Sequence, residues 1–411
     1  MRPRSYPEAT DMEDIRESTI KDRIVLAVVW IDWYSYHIAR FRALARHPLL
    51  ENHCVGIELV GGSGVHGSLV FRASERDGLP IQTLVPEAGW SNVGQLRVGR
   101  RLLTELNLLN PEVILIPGYY TIPALAAVLW ARRHKKRTVL MSESTRQDHP
   151  RKPYLEWAKR TILPRLFDTV VAGGKRQIGY MRELGFADSR IARNYDVVDN
   201  DYFAAETERL RAERKPASFN LPDRYFLYVG RLAAEKNLDG LLREFSVYQQ
   251  RGGTWSLVLV GDGPMATALG RTVAEKDLGS SVVFAGLQDT RGMLPYYAFA
   301  GCFILPSWRE PWGLVVNEAM SSRLPVILSD RCGCAEDLLH CGLNGYVFDP
   351  SVAGGLAQLM ATVSGLDEPE RRALGQRSSE IISGYSLSSW AEEVVRIANI
   401  TSGVPDPCYG M

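Results

Sequence analysis

Two glutamates, Glu310 and Glu318, bracket the run Pro311-Trp312-Gly313-Leu314-Val315-Val316-Asn317, just after an apolar stretch that ends at Leu305. Proline is tolerated in the first turn of a helix, so the pattern predicts a strand, a turn and a helix starting near Trp312. The free amides of such a helix start, those of Gly313 and Leu314 included, form an anion site, and glycine lets a phosphate come close. A carboxylate on either side could then hold hydroxyl groups as a charged acceptor. Chance alone supplies about one E-x7-E pair in a chain of this length. The placement of the pair therefore matters more than its spacing.

Upstream, Tyr225-Phe-Leu-Tyr-Val-Gly230-Arg231-Leu-Ala-Ala-Glu235-Lys236-Asn237 reads as a strand, a glycine at a sharp turn and two cations before a helix. Arg231 as a bidentate fork and Lys236 as a point charge suit a pyrophosphate and the charge that grows on a departing phosphate. A plain turn carrying surface cations would look the same. Gly261-Asp262-Gly263-Pro264 ends a second strand with a glycine pair that permits close backbone approach. Phe284-Ala285-Gly286-Leu287 ends a third, where a flat base could lie against backbone.

These turns need sheets to hold them. Short apolar runs at Ile24–Trp30, Cys54–Leu59, Ile81–Val85, Val113–Pro117, Thr138–Met141 and Thr169–Ala172 alternate with helical patterns. Their near-continuous Val, Ile and Leu predict a parallel sheet covered by helices on both faces. A charged segment with Pro216 and Pro222 interrupts the pattern. A second series follows at Tyr225–Val229, Ser256–Val260, Val282–Phe284, Cys302–Leu305, Val326–Leu328 and Tyr346–Phe348. The expected organisation is an arm over 1–20, an N-terminal domain over 21–208, a linker over 209–222 and a C-terminal domain over 223–385. A last helix and a loose tail fill 386–411. The 411 residues suit two α/β domains.

Composition narrows the function classes. With 48 Lys and Arg against 47 Asp and Glu, no global field marks the chain for nucleic acid. No run reaches the roughly 18 apolar residues of a membrane span, and residues 1–20 lack an apolar signal core. Six cysteines show no disulfide framework, so reduced thiols in the cytoplasm are expected. Cys332, Cys334 and Cys341 lack the paired knuckles of a zinc site. The basic run Arg132-Arg133-His134-Lys135-Lys136-Arg137 suits either peripheral contact with anionic lipid or a solvated helix end.

Taken together, G-R-L-x-x-E-K-N, G-D-G-P, F-x-G, E-P-W-G-L-x-x-x-E and a late N-G-Y-V-F, in this order over about residues 222–400, resemble glycosyltransferase family 4. The N-terminal half is similar more loosely, through the alternation of elements and Asn194-Tyr-Asp-Val-Val-Asp-Asn-Asp-Tyr-Phe203. The resemblance implies a GT-B fold, two doubly wound, Rossmann-like parallel-sheet domains facing a cleft, and retaining transfer of a hexose-type sugar from a nucleoside-diphosphate sugar to an acceptor hydroxyl. It implies Arg231 and Lys236 on the diphosphate, with Gly230 at their turn, and Gly313 and Leu314 amides on the distal phosphate beside Trp312. Glu318 would hold ribose, Glu310 the donor sugar, and Phe284, Gly286 and Leu287 the base. Glu310, Lys236 and Arg231 are the catalytic candidates, and no metal or other cofactor is implied. The acceptor could be a small molecule, a glycan or a lipid-linked species.

One loop departs from the family. Many members carry paired glycines after the first strand, where this chain has Ile31-Asp32-Trp33-Tyr34-Ser35-Tyr36-His37. Asp32 and His37 could orient an acceptor hydroxyl, although Asp32 or Ser35 as a helix cap and His37 as a core or surface residue are the plainer readings. Glu143, at another strand end, is a further acceptor-side candidate. A GT-B epimerase or hydrolase, a non-catalytic nucleotide-sugar binding protein and a dinucleotide oxidoreductase are the rivals. The last lacks G-x-G-x-x-G after the first strand.

Overall fold

The computed structural model describes residues 23–61, 76, 78–148 and 150–400. The expected arm over 1–20 and the tail from 401 lie outside the described residues. Seven strands form the first sheet: β1 (Leu26–Trp30), β2 (Cys54–Glu58), β3 (Ile81–Thr83), β4 (Val113–Pro117), β5 (Arg137–Ser142), β6 (Thr169–Ala172) and β7 (Ile191–Ala192). Six form the second: β8 (Tyr225–Val229), β9 (Ser256–Val260), β10 (Val282–Gly286), β11 (Cys302–Leu305), β12 (Val326–Ser329) and β13 (Gly345–Phe348). The two-residue β7 was not expected. It is too short to show a periodicity.

The strand orders are 3-2-1-4-5-6-7 and 10-9-8-11-12-13, parallel throughout. Each sheet thus reverses direction beside its first strand, at the β1/β4 and β8/β11 junctions, and leaves a crevice beyond the carboxyl ends there. Every residue of β1, β2 and β8 is buried. That explains why these strands read as unbroken apolar runs: both faces are packed and no position needs to be polar.

The two crevices face each other, because loops after the strand ends of one sheet bond to those of the other. Gln177 Nε2 donates to Pro311 O at 2.5 Å, Arg309 Nη1 to Asp148 O at 3.1 Å and Asn317 Nδ2 to Asp196 O at 2.9 Å. The helix Asn200–Glu213 runs through the 208–209 position, and Val198 and Phe203 belong to the C-terminal domain's core. The helix Leu387–Ile397 crosses back. Its Trp390, Ala391, Val394 and Val395 lie in the N-terminal core beside Phe41 and Leu44, and Trp390 Nε1 donates to Arg40 O at 3.2 Å. Ser386 caps that helix by accepting from Ser389 N at 3.2 Å. Among the described residues, no helix is long and apolar enough to cross a membrane.

Candidate active site

The floor of the C-terminal crevice is built from glycine turns. Gly261, at φ 136°, sits where a Cβ would fall 2.0 Å from Gly230 O, so only glycine lets the turns after β8 and β9 nest. From Gly230 the chain passes through a short 3-10 turn, Ala234–Lys236, to Asn237 in the left-handed region. Asn237 Nδ2 donates to Pro306 O at 3.0 Å and so ties this loop to the end of β11. The consequence is a meeting of two predicted residues. Lys236 Nζ is ion-paired with Glu310 Oε2, the side chains only 18% and 10% exposed, and Ser307 Oγ donates to the same oxygen at 3.3 Å. Arg231 stands apart on the rim, 54% exposed and 3.8 Å from Glu235.

The expected helix starts at Leu314 rather than near Trp312. Gly313 is its N-cap at φ 103°, so the turn requires a left-handed residue and the helix cannot begin earlier. The amides of Gly313 and Leu314 still lie at the helix start beside Glu310, whose Cγ would be 3.3 Å from a Cβ on Gly313. Trp312 is placed differently from the expectation. Its indole is 2% exposed, donates to Asn317 Oδ1 at 2.9 Å and packs so closely on Gly174 that a Cβ there would come within 2.7 Å of the ring. It joins the two domains and offers no side chain to a ligand.

Glu318, midway along this helix, is buried, with both oxygens engaged. Tyr297 donates to one at 2.6 Å and Tyr36, from the N-terminal domain, to the other at 2.5 Å. Burial pushes the Glu318 carboxyl up to about 7, against the opposing pull of the two hydroxyls. A ribose arriving here would compete with Tyr36 for the same oxygen. Phe284 and Leu287 are 39% and 42% exposed at the end of β10, and Gly286 O accepts from Gly261 N at 2.8 Å, so the base candidates border the same floor.

On the N-terminal side, Tyr34 caps the helix Ser35–Ala45, so neither Asp32 nor Ser35 has the cap role. Asp32 is buried and accepts from Tyr34 Oη at 2.8 Å. His37 stacks on Trp30 with ring centroids 4.6 Å apart, and its Nδ1 lies 3.1 Å from Asp32 O and 3.4 Å from Tyr34 N. Surrounding protein pushes the imidazole down to about 3, although the residue keeps some solvent contact. His37 is therefore neutral near pH 7 and can only orient a hydroxyl, not hold a positive charge.

Glu143 is exposed at the end of β5. Its carboxylate acts on Asp196, a buried group that the sequence reading missed. Burial first and Glu143 second push Asp196 up, while Arg40, 3.8 Å away, opposes them. Asp196, Tyr36 and Tyr297 carry no motif spacing. Their only sequence signal is that two of them lie inside the loop 31–37 and the stretch 194–203.

A cavity of about 160 Å³ lies between the domains, where Thr145, Gln147, Asp148 and Arg176 of one face Trp308, Arg309, Glu310 and Arg331 of the other. A larger recess of about 900 Å³ opens at the opposite, amino-terminal ends of the second sheet's strands and holds none of the motif residues. Cys332 and Cys334 are buried near Glu310, and burial pushes both thiols up. Among the described residues no group of three or more His, Cys, Asp or Glu side chains is arranged to hold a metal ion.

Two facing Rossmann-like parallel sheets, with a helix start and two carboxylates at the second switch point, make up the GT-B fold. Residues 211–380 match the family glycosyl transferases group 1. An alpha-D-kanosaminyltransferase of Streptomyces kanamyceticus is 25% identical over 276 residues, 66% of this chain and 70% of that one. An N-acetyl-alpha-D-glucosaminyl L-malate synthase of Bacillus anthracis is 26% identical over 52% of this chain and 55% of its own. Among solved structures, a glycosyltransferase from Rickettsia africae has a TM-score of 0.72 at 14% identity, covering 92% of this chain and 99% of that one. Anabaena HepE, solved with UDP, has a TM-score of 0.70 at 14% identity, covering 92% and 100%. At that identity the structures are similar in fold.

Proposed function

We propose that the protein transfers a hexose-type sugar from a nucleoside-diphosphate sugar to an acceptor hydroxyl with retention and without a metal. The observation that carries this reading is the Lys236–Glu310 pair beside the Gly313 helix start, with Glu318 one turn further along the same helix. A diphosphate lying over the helix start meets free amides, and Lys236 lies beside it. Arg231 on the rim supplies a second cation as the donor settles. Glu310, freed from part of its pairing with Lys236, accepts from sugar hydroxyls, and Glu318 accepts from ribose.

In the transfer, the bond between the anomeric carbon and the diphosphate oxygen breaks, and a bond from the acceptor oxygen forms on the same face. The acceptor proton passes to the departing phosphate oxygen, so no enzymic nucleophile is required. Lys236, Arg231 and the amide dipoles stabilise the negative charge that grows on the diphosphate, the part that a metal would otherwise supply. Uridine diphosphate sugars are the first donors to test, since HepE was solved with UDP. Carbohydrate hydroxyls are the first acceptors, with Asp32, His37 and Glu143 on their side of the cleft.

The reading is tested with Lys236→Ala and Glu310→Gln, in buffer containing a chelator. Each variant is expected to lower kcat/KM by at least ~10²-fold, while the wild-type enzyme turns over unimpeded. Proton coupling at the product's anomeric carbon should show the donor's configuration. Unchanged rates in both variants would sink the site assignment. Full-rate donor turnover without acceptor would point to an epimerase or hydrolase, and nucleotide binding without any turnover to a binding protein.

A further inference from the structure

Between Gln95 and Phe167 the chain carries 14 Lys and Arg against five Asp and Glu, in a protein whose net charge is +1. The helices of this stretch, Gln95–Leu109, Ile122–Arg133 and Pro153–Leu166, cover one face of the first sheet with Leu102, Leu106, Val128 and Leu163 turned inward. Their outward residues are unusual for a solvated surface. The helix Pro153–Leu166 buries only Leu163, while Tyr154, Leu155, Trp157 and Ile162 are 64%, 46%, 71% and 50% exposed. At about 100° per residue, these four side chains share one broad arc.

The neighbouring helix continues the surface. Ile122, Leu125 and Leu129 form an i, i+3, i+7 row that is exposed along its length, and Tyr120 is exposed just before it. The loop before this helix meets the middle of Pro153–Leu166, where Lys159 Nζ lies 5.8 Å from the centre of the Tyr119 ring. Arg132, Arg133, Lys152, Arg160 and Arg165 are exposed on the same helices. Single exposed apolar residues are common on any protein. A row of leucine, isoleucine, tryptophan and tyrosine bordered by cations has a more specific chemistry. Apolar tips enter the headgroup boundary, aromatic rings sit at its level and cations meet anionic headgroups.

We propose that this face docks the protein on an anionic phospholipid bilayer without crossing it. A second copy of the chain fits the face less well, because pairing it with itself would set one cationic rim against another. The loop from β5 into Pro153–Leu166 carries Thr145, Gln147 and Asp148 into the cavity shared with Glu310. Docking therefore brings the acceptor side of the cleft within one loop of the lipid. That consequence rests on the transfer reading above, whereas the docking itself does not.

The test is co-sedimentation of the full chain with vesicles of phosphatidylcholine alone or mixed with phosphatidylglycerol. Binding to the mixed vesicles should be at least ~10-fold stronger and should weaken as salt rises. Trp157→Ser with Tyr154→Ser, and separately Lys152→Glu with Arg160→Glu, should each reduce it at least ~10-fold at an unchanged melting temperature. Absence of binding, equal binding to both vesicles, or variants that bind like wild type would overturn the proposal. So would a concentration-dependent dimer in vesicle-free buffer that the Trp157→Ser change abolishes, since it would assign the face to a second copy. Vesicle binding is read without turnover, so its failure leaves the transfer reading standing.

Discussion

Glu318 is the residue at which burial and chemistry pull hardest against each other. Its carboxyl sits near 7 instead of 4.5 because the site excludes water. The folded protein therefore binds a proton that the unfolded chain has released, across the window from 4.5 to about 7. Stability contributed by this group is full below 4.5 and is lost as pH rises through about 7. The difference is worth roughly 3 kcal/mol, and Glu318→Gln should remove it. Denaturation series across that window should show a steeper decline for wild type than for the variant; parallel curves would refute the assignment. The two tyrosines that hold this carboxylate come from positions no motif marks. A hydroxyl donor is recognised by what it touches, and that depends on how the two domains close.

At the scale of elements, the strands were nearly all legible because strands buried on both faces have an apolar pattern that nothing else requires. Turn chemistry was legible too, down to the glycines after β8, β9 and β11. The helix start was displaced by two residues because a left-handed Gly313 and a Pro311 at the helix start leave similar traces in a sequence. Trp312 misled for a related reason: a tryptophan beside a glycine turn at a helix start reads as ligand-facing until Gly173 and Gly174 of the other domain are seen to receive it. Glycines with different environments give a direct check on the floor of the site. Gly261→Ala, whose Cβ would meet Gly230 O at 2.0 Å, should cost about 3 kcal/mol and impair nucleotide binding. Gly270→Ala, on an open helical surface with nothing within 4 Å, should stabilise by about 0.5–1 kcal/mol. Equal effects in thermal melts would show that close turn packing is not what Gly261 provides.

At the scale of the molecule, the two domains share more than a cleft. Trp390 fills the N-terminal core from a helix that follows the C-terminal domain in the sequence, so Trp390→Ala should cost about 3–5 kcal/mol. The loss should fall on the N-terminal domain, while a nucleoside diphosphate still protects the C-terminal domain from proteolysis; loss of that protection would show that the domains do not unfold separately. The crossing helix also orders events during synthesis. A growing chain completes the first sheet by Ala192 but cannot close its core until Leu387–Ile397 has left the ribosome, after the whole second sheet has been made. Until then the apolar faces of Phe41, Leu44 and Val197 await their cover. The nascent N-terminal domain is a natural client for chaperones, and it becomes durable only when the C-terminal domain has already been made.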